Sequence, residues 1–520
     1  MRQKTGCSWL MSAALLATVA QAQSIPSIYE QAADYIQRGQ SPNAIALLEL
    51  RLRETPGDLK ALTLMGLAHA AESRREPANR YFRQALNIDP RFAPALKNLA
   101  INELALGESE NAKKHLQQLL QLTPSDPMAH LALGEVEFGA KNYRGAISHY
   151  EQSGNLHMRD APSLLKFVEA CVAMKQTAKA ADALERMPKE ADAGSHFRAG
   201  SLLAGMERYS GAAREFELAR GYGSPYDVGF NLMLAYVKAG QSAAAVRAGE
   251  ELVAKGHRQA ELYNVLAQAY EKAGKTKEAY ESLRTATTID PGDWANYNDL
   301  IALCLTHKNY DLALEIADIS VTRLPNSDRV HLQRGIVLAM KENFEGASGE
   351  FEAAMKLAPD RSLGYVALSL MLLQIDRPGD AVNILRRRAK ASQDYLALWF
   401  LGEALNRSGV IAGSAEETEA IDALSRSVGL DASVAPPRIL LAKLLARRGN
   451  LELAAKHLIR ALELDPDNVT ATYQLAQVYQ KRGDPARAKE LFAKVSKAKA
   501  EDREQFTRGG LQHIIREGSR

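Results

Sequence analysis

Residues 275–293 read KTKEAYESLRTATTIDPGD. Three other stretches share its plan: EPANRYFRQALNIDPRF at 76–92, FEGASGEFEAAMKLAPDR at 344–361 and LELAAKHLIRALELDPDN at 451–468. In each, an Ala is followed by an apolar residue four positions on, a small residue seven on and Pro twelve on. The same Ala recurs as Ala44, Ala78, Ala112, Ala146, Ala180, Ala212, Ala245, Ala279, Ala313, Ala347, Ala381, Ala420, Ala454 and Ala488. Ten of the thirteen steps between them are 34 residues; the others are 32, 33 and 39. A fixed period of this length marks a chain built from stacked supersecondary units.

Composition agrees with a folded chain. The 520 residues are 46% hydrophobic and 24% charged, which excludes disorder and collagen. Lys+Arg 65 against Asp+Glu 62 leaves +3, too balanced a charge for a surface built to grip nucleic acid. Three cysteines cannot make a disulfide framework. Cys171 and Cys304 fall at core positions four units apart and are expected as free, buried thiols.

Residues 1–22 stand apart. Arg2 and Lys4 precede the uncharged apolar run from Trp9 to Ala20, and Ala20-Gln21-Ala22 is a small-x-small cleavage site. That order predicts a bacterial-type secretory signal peptide cut after Ala22, hence a periplasmic or secreted protein. Cys7 lies upstream of the apolar run, so lipidation is not expected. Removing Arg2 and Lys4 leaves 63 basic against 62 acidic residues. No later run reaches 18 uncharged apolar residues, so no transmembrane segment is expected after cleavage.

Each period holds two amphipathic patterns. Ahead of the Ala comes a mostly small residue: Ala32, Gly66, Ala100, Gly134, Gly200, Ala267, Gly335, Ser369, Gly402, Ala442 and Ala476, with Val168, Met233 and Ile301 as exceptions. Spacings of three and four residues around both sites give one apolar face per helix. Small residues let the two axes approach, and Pro ends the second helix. One such pair cannot bury its faces alone, so neighbours must stack.

This pattern resembles the tetratricopeptide repeat (TPR), a 34-residue helix–turn–helix unit, over about residues 25–502. The resemblance implies an all-α, right-handed solenoid of about fourteen repeats at 25–58, 59–92, 93–126, 127–160, 161–192, 193–225, 226–259, 260–293, 294–327, 328–361, 362–394, 395–434, 435–468 and 469–502. These are grouped as an N-terminal array over 23–258 and a C-terminal array over 259–502, with a capping helix or tail at 503–520. Three departures stand out. Residues 154–225 lack the closing Pro and run short, and Gly221-Tyr222-Gly223-Ser224-Pro225 is a candidate hinge. The twelfth repeat carries about six extra residues at 410–417, expected as a surface insertion.

No chemical motif survives scrutiny. HExxH, GxSxG, CxxC and GxGxxG are absent from the sequence, and Ala273-Gly274-Lys275-Thr276 lacks the upstream Gly and strand of a phosphate loop. His115 and His149 occupy equivalent positions and are expected as surface residues rather than a metal pair. Arg386-Arg387-Arg388 is expected as a solvated helix end. No enzyme activity, cofactor, metal or nucleic acid is therefore expected. The family's geometry implies that positions 2, 5, 9 and 12 of each repeat line a concave groove for a protein or peptide partner. Here they place Ile101, Leu131, Phe138, Phe197, Phe230 and Leu234 in an apolar strip. Asn264 and Gln268 follow in a polar segment, and Trp399 lies further along. Lys97 lacks the Asn needed for a carboxylate clamp, since Ile101 stands there. The expected role is a non-enzymatic scaffold, with a polysaccharide-export component as the alternative.

Overall fold

The computed structural model describes residues 27–391, 393–409 and 411–498. The expected signal peptide at 1–22 and the cap at 503–520 lie outside the described residues. Among the described residues the regular elements are 28 α-helices in consecutive pairs and a single-turn 3-10 helix at Leu156–Met158, with no strand. From the second repeat onward, the first helix of each pair starts within one residue of the repeat start expected from the sequence. Examples are Leu59–Ala71, Ala260–Lys272, Asp328–Met340 and Ala435–Arg447.

The Ala column explains the pairing. Thirteen of its fourteen members have no solvent exposure and Ala488 has 3%. Each sits where the second helix lies against its neighbours, so its methyl group sets the distance between axes. Asp side chains start many of the first helices: Asp58, Asp126 and Asp293 accept backbone N–H bonds from the first turn.

The turn inside each pair is a conserved geometry with a variable residue. The fifteenth position of all fourteen repeats has a positive φ, from Gly39 at 72° through Gly274 at 74° to Gly483 at 80°. Seven of these are Gly, and the others are Ser73, Lys141, Lys175, Glu207, Lys308, Glu342 and Asp376. The next N–H returns to a carbonyl five residues back, as Lys275 to Tyr270 and Asn343 to Leu338, both at 2.9 Å. This is the Schellman closure of a helix C-terminus, and its left-handed residue needs no side chain.

The shortening begins one helix before the expected irregular region of 154–225. The second helices Tyr143–Gln152, Thr177–Leu184 and Tyr209–Leu218 have 10, 8 and 10 residues, against 14 in Thr276–Ile289. The insertion in the twelfth repeat differs from expectation at its far end. The second helix, Ala415–Leu430, starts two residues early relative to the Ala column. Glu417 therefore lies inside the helix and has no exposed side-chain surface, while Ile411 at the turn is 77% exposed.

The chain divides into two compact units between Lys255 and Gly256. The N-terminal unit holds the first seven helix pairs, with cores that include Leu116, Leu164, Cys171 and Phe216. The C-terminal unit holds the other seven, and one apolar core runs from Leu332 to Val478.

Candidate helix-lined interaction site

The expected groove residues sit on first helices but differ in what they offer. Ile101 and Leu131 are only 8% and 7% exposed, so they belong to the core more than to a surface. Phe138, Phe197, Phe230 and Leu234 are half-buried. The Phe197 ring lies between Phe216, 5.6 Å away in the core, and Tyr222, 5.5 Å away and 45% exposed. Phe230 stacks on Tyr226 at 5.6 Å, and Phe138 meets Tyr143 at 5.8 Å. The structure thus adds Tyr222, Tyr226 and Tyr143 to an aromatic series in the N-terminal unit. Tyr222 reaches it from the glycine-rich turn, where Gly221 and Gly223 both have positive φ. The position rule used on the sequence samples helices only, so it passed over a turn residue.

In the C-terminal unit two separate amide pairs lie near the expected polar segment. Asn264 donates to Asn296 Oδ1 at 2.7 Å, and Gln333 donates to Asn298. Gln268 is exposed, and Glu271 pairs with His307 at 2.7 Å. Burial pushes the pKa of Asp299, beside Asn298, above the usual carboxylate range. Trp399 is half-buried and stacks on Phe400 at 4.6 Å. Lys97 is committed to Asp126 at 2.9 Å, so it is not a free clamp residue.

A second network recurs across both units and escaped the sequence reading. In three repeats the fourth residue reaches the twenty-third, on the partner helix. His196 meets Glu215 at 2.7 Å, His331 meets Glu350 at 2.7 Å, and Nδ1 of His130 meets Nδ1 of His149 at 3.0 Å. The same fourth residue often bonds the carbonyl six positions back: His130 to Pro124 at 2.9 Å, His331 to Pro325 at 3.0 Å, Arg438 to Ala432 at 3.1 Å. These side chains tie the loop before a repeat to that repeat's second helix. His115 and His149 are accordingly half-buried and paired, His115 with Glu103 at 2.8 Å, rather than free on the surface. Burial, and then His130, lower the pKa of His149.

The arginine run is likewise corrected. Only Arg387 is exposed. Arg386 grips Glu419 through two bonds of 2.8 and 2.7 Å, and Arg388 is 5% exposed and donates to Ser362 at 3.0 Å. Three consecutive helix positions point about 100° apart, so one of them meets the core and one a neighbouring helix.

Cys171 and Cys304 are free and buried, and burial pushes both thiols up to about 11. Neither is a thiolate near neutrality. Among the described residues no cluster of three or more His, Cys, Asp or Glu is placed to hold a metal ion. A cavity of about 80 Å³ lies beside Arg220, Val228 and Leu252, and a wider, open one of about 680 Å³ lies beside Arg214, Tyr236 and Gln241. No described helix is long and apolar enough to cross a membrane.

Family models described as tetratricopeptide repeat match residues 97–153, 260–293 and 445–507. The chain carries tetratricopeptide repeats at these three places. Among TPR relatives it is 25% identical to the TPR repeat-containing protein YpiA of Bacillus subtilis over 297 residues, 55% of this chain and 68% of that one. It is 24% identical to the cellulose synthase operon protein C of Komagataeibacter xylinus over 481 residues, 86% of this chain but 34% of the relative. The chain thus spans about a third of that second protein's length. The crystal structure of yeast Tom70 aligns with 88% of this TPR chain and 94% of its own, at 16% identity and a TM-score of 0.41.

Proposed function

We propose that this protein is an interaction scaffold outside the cytoplasm that docks an apolar or amphipathic segment of a protein partner on its N-terminal unit. TPR arrays are a protein-binding architecture, and stacked helix pairs present long faces suited to the helix-in-groove mode. The half-buried aromatic series of Phe138, Phe197, Phe230 and Tyr222 carries the reading. Such rings keep area available for a partner while their inner edges are already fixed by packing, which limits the entropy lost on docking. Ile101 and Leu131 support the surface from below rather than contact the partner. Asn264, Gln268 and Trp399 belong to the other unit and would serve a second contact. The leader at 1–22 supports the extracytoplasmic location.

The test starts from protein captured from the native envelope fraction, whose chain should begin at Gln23. Its co-purified partner is then titrated against the double variant Phe197→Ala, Phe230→Ala. Affinity should fall by about 2 kcal/mol, roughly thirtyfold, with helix content by circular dichroism unchanged. Wild-type affinity in the folded double variant would remove the aromatic series from the docking surface.

A second reading, a component of polysaccharide export, is favoured by the likeness to a cellulose synthase operon protein over most of this chain. Glycan binding by the purified protein, unaffected by the double variant, would favour it.

A further inference from the structure

The thirteenth repeat has polar residues at its fourth and twenty-third positions, as the three linked repeats do, but lacks the bond between them. There the fourth residue is Arg438 and its counterpart on the second helix, Leu451–Leu464, is His457. Arg438 is 8% exposed. Its Nη2 donates to Ala432 O at 3.1 Å, but its Nε finds no acceptor among the described residues. It also forms no ion pair among them. Where the counterpart is Glu215 or Glu350, the chain supplies the carboxylate itself. His130 and His149 satisfy each other ring to ring, Nδ1 to Nδ1 at 3.0 Å. A guanidinium cannot lose its charge.

The surroundings deepen the deficit. Burial and then Arg460 lower the pKa of Arg438 from its ordinary value. Burial and then Arg438 and Lys456 lower that of His457. Arg460 lies three residues beyond His457 on the same helix, and so on the same face. The nearby acids are already engaged: Asp431 accepts from Ser433 N–H and O–H at 2.8 and 2.6 Å, and Glu463 accepts from Arg460 at 2.6 Å. His457 is half-buried and the Arg460 side chain is 51% exposed, so the cluster opens to solvent on that side.

We propose that Arg438, His457 and Arg460 form a binding site for a small oxyanion, which supplies the negative charge that Glu215 and Glu350 provide at the equivalent places. The anion accepts from the guanidinium of Arg438 and from an imidazole N–H of His457, while Arg460 adds charge at the rim. The chemical class is a phosphate, sulfate or carboxylate group. This site is independent of the aromatic surface in the other unit.

The experiment uses the full chain in buffer free of phosphate, sulfate and carboxylates. Hydrogen-exchange protection over 435–468 is followed while inorganic phosphate, sulfate or acetate replaces chloride at constant ionic strength. In the wild type, protection in this repeat should rise saturably by several-fold with at least one of these anions. A response to phosphate and sulfate alone assigns a tetrahedral anion, and a response to acetate assigns a carboxylate. His457→Glu should raise protection without any added anion and abolish the response, because the chain then carries its own carboxylate. Arg438→Met should also abolish the response, and it serves as the second variant if His457→Glu misfolds. A wild type that responds to these anions as it does to chloride overturns the proposal. So does an undiminished response in either folded variant.

Discussion

Gly335 has no room for a side chain: a Cβ built on it falls 2.5 Å from the ring of Phe351. The same closeness joins Gly66 to Phe82, Gly134 to Tyr150 and Gly200 to Phe216. Elsewhere the pair is Ala100 with Leu116, Ala267 with Leu283 or Ala442 with Leu458, all buried. Two apparent exceptions at the small position obey the same volume rule in reverse. Met233 stands opposite Gly249 and Ile301 opposite Ala317 in the repeat register, all four buried. In these repeats a larger side chain at one position faces a smaller one at the other, as a close-packed interior favours, whereas Val168 opposite Leu184 and Gly402 against Leu424 depart from that trade. Gly335→Ala should therefore cost about 1–3 kcal/mol by overpacking, despite the better helix propensity of Ala. Adding Phe351→Leu should recover much of the loss by converting the site to the Ala–Leu type. Urea denaturation of the single and double variants gives the coupling energy, and additivity of the two changes would refute the pairing.

Helix ends show how polar groups hold what volume alone does not. In the twelfth repeat, the buried Glu417 accepts from Gly413 N–H at 2.8 Å, Arg447 at 2.6 Å and Arg448 at 2.7 Å. It thereby fastens the extra turn to the first helix of the next repeat. Burial alone would raise its pKa, but the Gly413 N–H, Arg448 and Arg447 outweigh burial and hold it down at about 2. Because the folded pKa lies below the ordinary value near 4.5, folding favours the ionised form. That stabilisation is complete above the ordinary value and is lost as pH falls towards 2. Glu417→Gln should cost about 1.5–3 kcal/mol near neutrality, the scale of hydrogen bonds to a charged group. The gap between variant and wild type in thermal unfolding should narrow as pH drops from about 5 to 2. A gap that stays constant over this range would show that Glu417 acts through shape and not through charge.

Across the whole molecule, stability is distributed along the chain, because each repeat touches only its neighbours. Ala347 has no exposure and sits on the second helix of the tenth repeat, inside the continuous core of the C-terminal unit. Ala347→Leu should strip hydrogen-exchange protection from 328–361 and, more weakly, from the repeats on either side. Protection over 27–255 should not change. A uniform loss in both units would mean that the array unfolds as one cooperative body.

The amino-acid sequence by itself determined the fold class, the repeat boundaries and the buried Ala column. Those properties recur fourteen times, so periodicity averages away the noise at any one position. It also marked 154–225 as irregular, because a missing Pro and a shortened step are visible in one dimension, while the structure added that the second helices are short from Tyr143–Gln152 onward. The left-handed residue after each first helix was hidden, since backbone closure requires a geometry that Gly274 and Lys308 both adopt. The pairs His196–Glu215 and His331–Glu350, and the unpaired Arg438, were decided only by the tertiary structure. Their partners stand nineteen residues apart on different helices, and nothing in either helix alone says which polar side chain will be buried. Site residues divided along the same line. An apolar residue at a groove position reads alike whether it ends in the core, as Leu131 does, or half-open, as Phe230 does. Only the packing of neighbouring helices settles how much of each ring is left for a partner.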